Sequence, residues 1–319
     1  MDTLSRLLSL CTLRTTLDIR CSLAAPWVLD DPPAAPGVAP YHLIVDGHAA
    51  VDAPGGERLE LGAGDIVVFP HGGAHRLHAG PAAEATPIHE VPGPDLVRWK
   101  ANSGDGALTG ILCGQFIFDG TARRMLQPAL PAVMVVRTAG RPDFAGLHAL
   151  MMMLRSETDG ARPGSSIVTA QLSAALFALL LRAWLDGNAA LPGLLALLAD
   201  RRLGTALHKM LEQPGHGWLV EDLAQACFMS RATFARAFRQ VAGQTPAAVL
   251  TQLRMAQAAL WLARDKRPVA DVAEAAGYRS EAAFHRVFKR SQGVGPGEFR
   301  RKPSLSMPAP GQSPGLPGA

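Results

Sequence analysis

Two hydrophobic rhythms divide the chain. Over the first 140 residues apolar positions alternate or run in short bursts, as in YHLIVDGHAAVD (41–52), ERLELGAGDIVVFP (57–70) and GILCGQFIFDG (110–120), with Gly-Asp or Pro-Gly turns between them. Period-two alternation bounded by turn residues predicts short strands, and a succession of them predicts a small antiparallel β-barrel. Gly64-Asp65 makes the turn into one of these strands and Pro70 ends it. Between residues 143 and 186 the spacing turns helical, and FAGLHALMMMLRSE and IVTAQLSAALFALLLRAWLD are read as helices that pack on the barrel and pair between protomers. Their Met and Leu stripes are a core or a dimer seam rather than a cofactor box.

Further along, one helical pattern occurs twice. SRATFARAFRQVAG (230–243) and RSEAAFHRVFKRSQG (279–293) match by position: Phe234 and Phe284, Arg236 and Arg286, Phe238 and Phe288, Gly243 and Gly293, and Pro246 and Pro296 all differ by 50. Upstream, Asp222 and Asp271, Leu223 and Val272, Ala224 and Ala273, and Ala226 and Ala275 differ by 49, so one residue is inserted in the turn between. An apolar helix, a short turn and a second helix with basic outward positions, repeated, is what two helix-turn-helix elements require. Ser230 and Ser280 stand where N-caps belong, Gly277 fits the sharp turn, and Leu223, Phe234, Phe238, Val272, Phe284 and Phe288 form the buried stripe.

Charge sharpens this picture. Residues 201–302 hold 17 Lys/Arg and 8 Asp/Glu, a net +9, whereas the whole chain has 31 and 27; the remainder therefore carries 14 basic and 19 acidic residues, a net −5. Net positive charge concentrated in the duplicated segment points to a polyanionic partner. The longest apolar stretch, LSAALFALLLRAWL, is interrupted by Arg182 and is read as a packed helix. The N-terminal MDTLSRLLSLCTLR is amphipathic and lacks the basic start, apolar core and cleavage site of a secretion signal, so a cytoplasmic protein with no membrane association is expected.

The duplicated segment resembles the AraC/XylS-type transcription regulators. The match runs from about Leu203 to Lys302 and includes LAQACFMSRATFARAFRQVAGQTPAAVLTQLRMAQAALWLA and VADVAEAAGYRSEAAFHRVFKRSQGVGPGEFRR. The resemblance implies a transcription activator that binds double-stranded DNA sequence-specifically and works with RNA polymerase. LTQLRMAQAALWLA, with Leu253, Ala256, Leu260 and Ala263 at helical spacing, would be the long helix that holds two reading helices about 34 Å apart on adjacent major grooves. DNA-contacting positions map to Arg231, Ala232, Thr233, Arg236 and Arg239 in the first unit, and to Glu281, Ala282, His285, Arg286 and Lys289 in the second. Arg suits guanine edges and phosphate, while Ala232 and Ala282 are short enough to offer only van der Waals contact, as with a thymine methyl. Glu281 is either an acceptor for a cytosine amine or a helix-start acid favoured by the macrodipole.

GAGDIVVFPHGGAHRL resembles the cupin-type sensor domains of many such regulators. The implied fold class is α+β, a cupin-like antiparallel β-barrel with packed helices followed by an all-α domain with two helix-turn-helix units. The expected division is a sensor over 1–140, a helical dimerisation or connector segment over 141–190, a linker over 191–202, a DNA-binding domain over 203–302, and a disordered Pro/Gly/Ser-rich tail over 303–319. His42, His71 and His75 lie on segments that can converge in such a fold, and imidazole suits zinc, copper, nickel or iron. The chain lacks the dense HxH plus Glu pattern of metal-binding cupin enzymes, so these are read as loop or barrel-mouth histidines, and neither a metal nor a cofactor is expected. An enzyme would leave the duplicated segment unexplained, so the chain is read as a non-enzyme, and a homodimer formed through the sensor or connector helices is expected. MDTLSRLLSL, a cysteine ahead of PWVL, GDIVVFPHGGAHRL and LCGQF together resemble a subgroup that senses reactive chlorine species, which implies a two-cysteine redox switch at Cys21 and Cys113. Cys227 is expected as a packing residue. The competing reading is a small molecule or metal held in the barrel.

Overall fold

The computed structural model describes residues 1–11, 13–160, 162–187, 192–265 and 267–301; the tail expected to be disordered lies outside them. A short helix, α1 (Thr3–Ser9), opens the chain, capped by Asp2, whose carboxylate accepts from the Ser5 N–H. The strands follow as β1 (Leu13–Ala24), β2 (Trp27–Asp31), β3 (Val38–Asp46), β4 (His48–Asp52), β5 (Arg58–Gly62), β6 (Ile66–Val68), β7 (His75–Ala79), β8 (His89–Val91), β9 (Arg98–Ala101), β10 (Leu108–Phe118) and β11 (Met134–Val136), with α2 (Gly120–Met125) between the last two.

The expected closed barrel is not what these strands make: among the described residues they form two open sheets, in the orders β11-β6-β3-β10-β1-β9-β8 and β2-β7-β4-β5. The reason lies at a corner. Gly47, at φ +73°, lets the chain leave β3 in one sheet and enter β4 in the other, where a Cβ would stand 2.2 Å from the Leu108 carbonyl oxygen. Strands that switch sheets at bends give stacked sheets with a shared interior. That interior is filled by Cys21, Leu23, Ile44, Val67, Ile111 and Cys113 from the large sheet and Trp27, Ala49, Val51, Leu61 and Leu77 from the small one.

Period-two alternation turns Leu43, Leu112 and Phe116 to the opposite face of the large sheet, against α3 (Ala145–Asp159) and α4 (Ser165–Gly187). Phe177 meets Phe116 and Phe118 edge-on at 5.1 and 5.8 Å. Burial on both faces is why these strands read as apolar runs. A polar clasp adds to the packing: Arg20, 6% exposed, donates to Asp159 at 3.1 Å, and Arg155 ties α3 to Asp46 of β3 at 2.7 Å. By length and composition α4 is apolar enough to cross a membrane, but Leu176, Phe177, Leu180 and Leu181 are core residues here.

The C-terminal part is helical: α5 (Gly193–Ala199), α6 (Leu203–Glu212), α7 (Val220–Ala226), α8 (Arg231–Ala242), α9 (Pro246–Arg264), α10 (Val269–Ala275), α11 (Glu281–Gln292) and α12 (Pro296–Arg301). The stretch 191–202, expected as a linker, contains α5, whose Leu194, Leu195 and Leu197 are buried as it packs on α6 and α8. The long helix α9 serves two cores: Val249, Leu250, Leu253 and Ala256 complete the one holding Phe234 and Phe238, and Met255, Ala258, Ala259 and Leu262 complete the one holding Phe284 and Phe288. Leu253 and Ala256 are thus buried as their spacing suggested, whereas Leu260 is half-buried and Ala263 exposed. The first of these cores continues into the outer face of the large sheet without a break.

Candidate functional site

The duplicated helix pairs share their local design. Ser230 and Ser280 cap α8 and α11 by accepting from Thr233 N and Ala283 N, and Gly243 and Gly293 end these helices in the left-handed region. The turns span 227–230 and 276–280, which is where the one inserted residue falls. All six phenylalanine and aliphatic stripe positions are buried, so the opposite faces of α8 and α11 are left to solvent. On them stand Arg231, Ala232, Thr233, Arg236 and Arg239, and then Glu281, Ala282, Arg286 and Lys289, all exposed, with His285 half-buried. Ala232, Arg236 and Arg239 follow i, i+4, i+7 spacing, as do Ala282, Arg286 and Lys289, so each set lines one face. Arg231 is paired with Glu221 at 3.0 Å, and His285 lies 3.4 Å from Glu281. Arg236 and Arg239 edge an open cleft with Gln240, Thr245 and Ala247. The arrangement presents cations on fixed helices with no neighbouring acid at Arg236 or Arg286 among the described ion pairs.

A second cluster lies between the sheets. Strand register sets it: Asp31 is paired with His75 in the small sheet, and His42 with Cys113 in the large one. Across the interior His42 Nε2 stands 2.7 Å from His75 Nε2, and Asp31 Oδ2 is 3.3 and 3.4 Å from these nitrogens. His42 Nδ1 is 3.1 Å from Cys113 Sγ, and His75 Nδ1 is 2.8 Å from the Gly73 carbonyl oxygen. Phe69 stacks on the His75 ring at 3.6 Å. Burial, with the neighbouring His75, pushes the His42 pKa down to about 4 against the pull of Asp31, so the ring is neutral. Burial works against ionisation of Asp31, but in acid, where the His75 and His42 rings are protonated, they hold its carboxyl below the usual carboxylate range.

Cys21 lies diagonally across from Cys113: in the β1–β10 ladder Cys21 faces Ile111, and Cys113 faces Ile19. Their thiols are hydrogen-bonded, which lowers Cys21 below the ordinary thiol value despite its burial and, with burial, raises Cys113. One thiol is thereby the readier thiolate and the other the proton donor. Cys227 is buried in the helical part, where desolvation raises its pKa, and Cys11 is likewise raised by burial.

Of the three histidines singled out in the sequence, His42 and His75 meet, while the exposed His71 turns away to the Leu130 carbonyl oxygen at 2.9 Å. Asp31 escaped the sequence reading, because nothing in LDDPPAAP distinguishes it from a loop acid until β2 and β7 are in register.

Residues 2–186 match the Cupin family model, and residues 223–302 match a Helix-turn-helix domain model. Over 302 residues the chain is 34% identical to the RCS-specific HTH-type transcriptional activator RclR of Escherichia coli K12, covering 95% of this chain and 98% of that one. Over 307 residues it is 30% identical to the HTH-type transcriptional regulator MtrA of Neisseria gonorrhoeae, covering 95% and 99%. Among solved structures, the DNA-binding domain of AdpA in complex with a target DNA is 34% identical over 32% of this chain and 91% of that chain, with a TM-score of 0.31.

Proposed function

Because the chain belongs to the AraC-type transcription regulators that carry an N-terminal cupin domain, we propose that α7–α8 and α10–α11 are two helix-turn-helix units whose exposed basic faces read adjacent major grooves. The observation that carries this reading is the duplicated basic face on rigid, capped helices, held in one body by α9. Arg231, Thr233, Arg236 and Arg239, with His285, Arg286 and Lys289, supply base-edge and phosphate contacts; Ala232 and Ala282 supply apolar contact, and Glu281 accepts from a base amine or stays paired with His285. We place the sensor in the sheets with α3 and α4, and the DNA-binding part from α5 to α12. The regulator works in the cytoplasm with RNA polymerase, as a dimer through the exposed Met152 and Met153 of α3 and Ile167 and Val168 of α4, and has no enzymatic activity.

Cys21 and Cys113 are the switch in this reading, and reactive chlorine is the signal, as the RCS-specific relative RclR suggests. Hypochlorous acid transfers Cl⁺ to the Cys21 thiolate, giving a sulfenyl chloride and hydroxide. The Cys113 sulfur then displaces chloride and loses its proton, forming the disulfide. Two sulfurs give up one electron pair, which leaves on chloride, and hydroxide takes the proton as water. Both strands lead toward the DNA-binding part: β1 is preceded by α1, which packs on α6, and β10 is followed by α2, which packs on α9. A change in the β1–β10 register therefore has two short paths to the reading helices.

The test is equilibrium binding of the full-length protein to its operator, with operators found by selection from random duplexes, before and after hypochlorous acid. Selection of one sequence with a steep salt dependence is expected. The oxidant should change occupancy in the wild type and in Cys227→Ser, and should change it little in Cys113→Ser. No sequence preference would overturn the DNA reading; an undiminished response in a Cys21→Ser, Cys113→Ser double variant would overturn the switch and favour a ligand held between the sheets.

A further inference from the structure

The cluster that abuts Cys113 has more in it than a thiol switch uses. Asp31, His42 and His75 each offer a lone-pair atom, and these three atoms all lie within 4.8 Å of one another. His42 and His75 are 3% and 5% exposed, and Asp31 Oδ2 is buried without a hydrogen bond of its own. The Gly73 carbonyl can only accept, so the proton of His75 sits on Nδ1 and its Nε2 lone pair points into the cluster. A ligand imidazole whose other nitrogen is held by a carbonyl is the usual outer support of a metal site, and Phe69 stacked on His75 fixes the ring further.

The spacing is close to what a metal needs. Two atoms each about 2.0–2.1 Å from one ion at a tetrahedral angle are about 3.3–3.4 Å apart. Asp31 Oδ2 already stands 3.3 and 3.4 Å from the two nitrogens. Only the 2.7 Å contact between the imidazoles must open, by about 0.6 Å. Two nitrogens and one oxygen suit borderline divalent ions and not magnesium or calcium, which take oxygen ligands. An entry path is present as well: a cleft of about 420 Å³ reaches Asp31 and His75 and is lined by Asp30, Asp52 and Arg76. Three carboxylates against one guanidinium make that mouth attractive to a cation and leave the coordination sphere open on its solvent side.

We propose that Asp31, His42 and His75 bind one divalent first-row transition-metal ion of the zinc class, three ligands from the protein and the remainder open to the acidic cleft, with Cys113 as the outer partner of the ligand His42. This site differs from the HxH plus Glu arrangement because its carboxylate comes from β2 in register with His75 of β7, and its second imidazole from β3 in the facing sheet. It stands independently of the DNA and thiol readings. Because Cys113 Sγ holds the Nδ1 side of His42, removing that partner should weaken the ion's hold without removing a ligand.

The experiment uses the full-length protein, reduced and stripped with chelator, titrated with zinc by calorimetry and with Co(II) by visible absorption. One ion per chain and the d–d bands of low-coordinate Co(II) are expected. Asp31→Asn, nearly isosteric and at the cleft, should lower zinc affinity about tenfold or more, as should His42→Gln and His75→Gln; Cys113→Ser should lower it about tenfold with the stoichiometry kept. His71→Gln should bind as the wild type does. Far-UV circular dichroism verifies that each variant is folded, and Asp31→Asn decides the matter if the buried histidine variants are not. Absence of a bound ion, or binding unchanged in folded Asp31→Asn, would overturn the proposal, as would loss of binding in His71→Gln.

Discussion

At position 228 the chain places a phenylalanine at φ 55°, 99% exposed, and at the matching position of the second helix pair a glycine, Gly277, at φ +80°. The two occupy the same turn, as Phe228 N–H bonds the Gln225 oxygen and Gly277 N–H the Glu274 oxygen. They differ in what surrounds them: a Cβ on Gly277 would stand 2.5 Å from the Gly215 oxygen and 2.9 Å from an Arg254 nitrogen. Gly277→Ala should therefore destabilise by about 1–3 kcal/mol, whereas Phe228→Gly, which relieves left-handed strain and loses no packing, should change stability by no more than about 1 kcal/mol. Urea midpoints of the two variants check this, and equal losses would contradict it. On the exposed faces of α8 and α11, Arg236→Ala and Arg286→Ala should each weaken specific DNA binding by about 1–3 kcal/mol, and Arg264→Ala, at the end of α9, by less. Equal losses in all three would leave only general electrostatics. These positions were legible because a repeat that buries Phe234 and Phe284 dictates which neighbours face outward. The left-handed turn was legible only at Gly277, since nothing about a phenylalanine signals it.

Among elements, α5 shows where periodicity fell short. GLLALLA spans seven residues between Pro192 and Asp200, too short for a helical repeat to stand out, yet Leu194, Leu195 and Leu197 are core residues. The helix belongs with α8 and α6, against which it packs. A fragment of residues 192–301 should accordingly fold with a higher urea midpoint than one of residues 203–301, because removing α5 uncovers apolar surface on α8 at a cost of about 2–5 kcal/mol for each large core side chain lost. Matching midpoints by circular dichroism would show α5 to be dispensable. The long α9 was readable throughout from its apolar content, but its division between two cores was not: a helix that buries two faces has no single stripe, and Ala263 falls outside both.

At the scale of the whole molecule, strand identity was legible in β3, β6 and β10, while the split into two sheets was not, because alternation reports which side chains share a face and says nothing of which strand pairs with which. The meeting of Asp31, His42 and His75 depends on that pairing, with one residue from each of β2, β3 and β7. The two halves also touch through the first helix. Leu7 of α1 is fully buried in the core shared with α6, Thr3 Oγ1 lies 3.0 Å from His208 Nδ1, and Arg6 pairs with Glu212 at 3.3 Å. The helix precedes β1, which carries Cys21, so α1 is one of the two contacts, with α2 on α9, through which a change in the β1–β10 pair would reach the helical part. Removing residues 1–9 should leave the Cys21 and Cys113 thiols oxidisable, measured by the loss of two free thiols after hypochlorous acid, because both sit between the sheets and away from α1. The oxidant-dependent change in DNA occupancy should fall severalfold in the same protein, while binding in the reduced state persists through α8 and α11. Thiol loss with an undiminished DNA response would place the coupling in α2 and α9 instead.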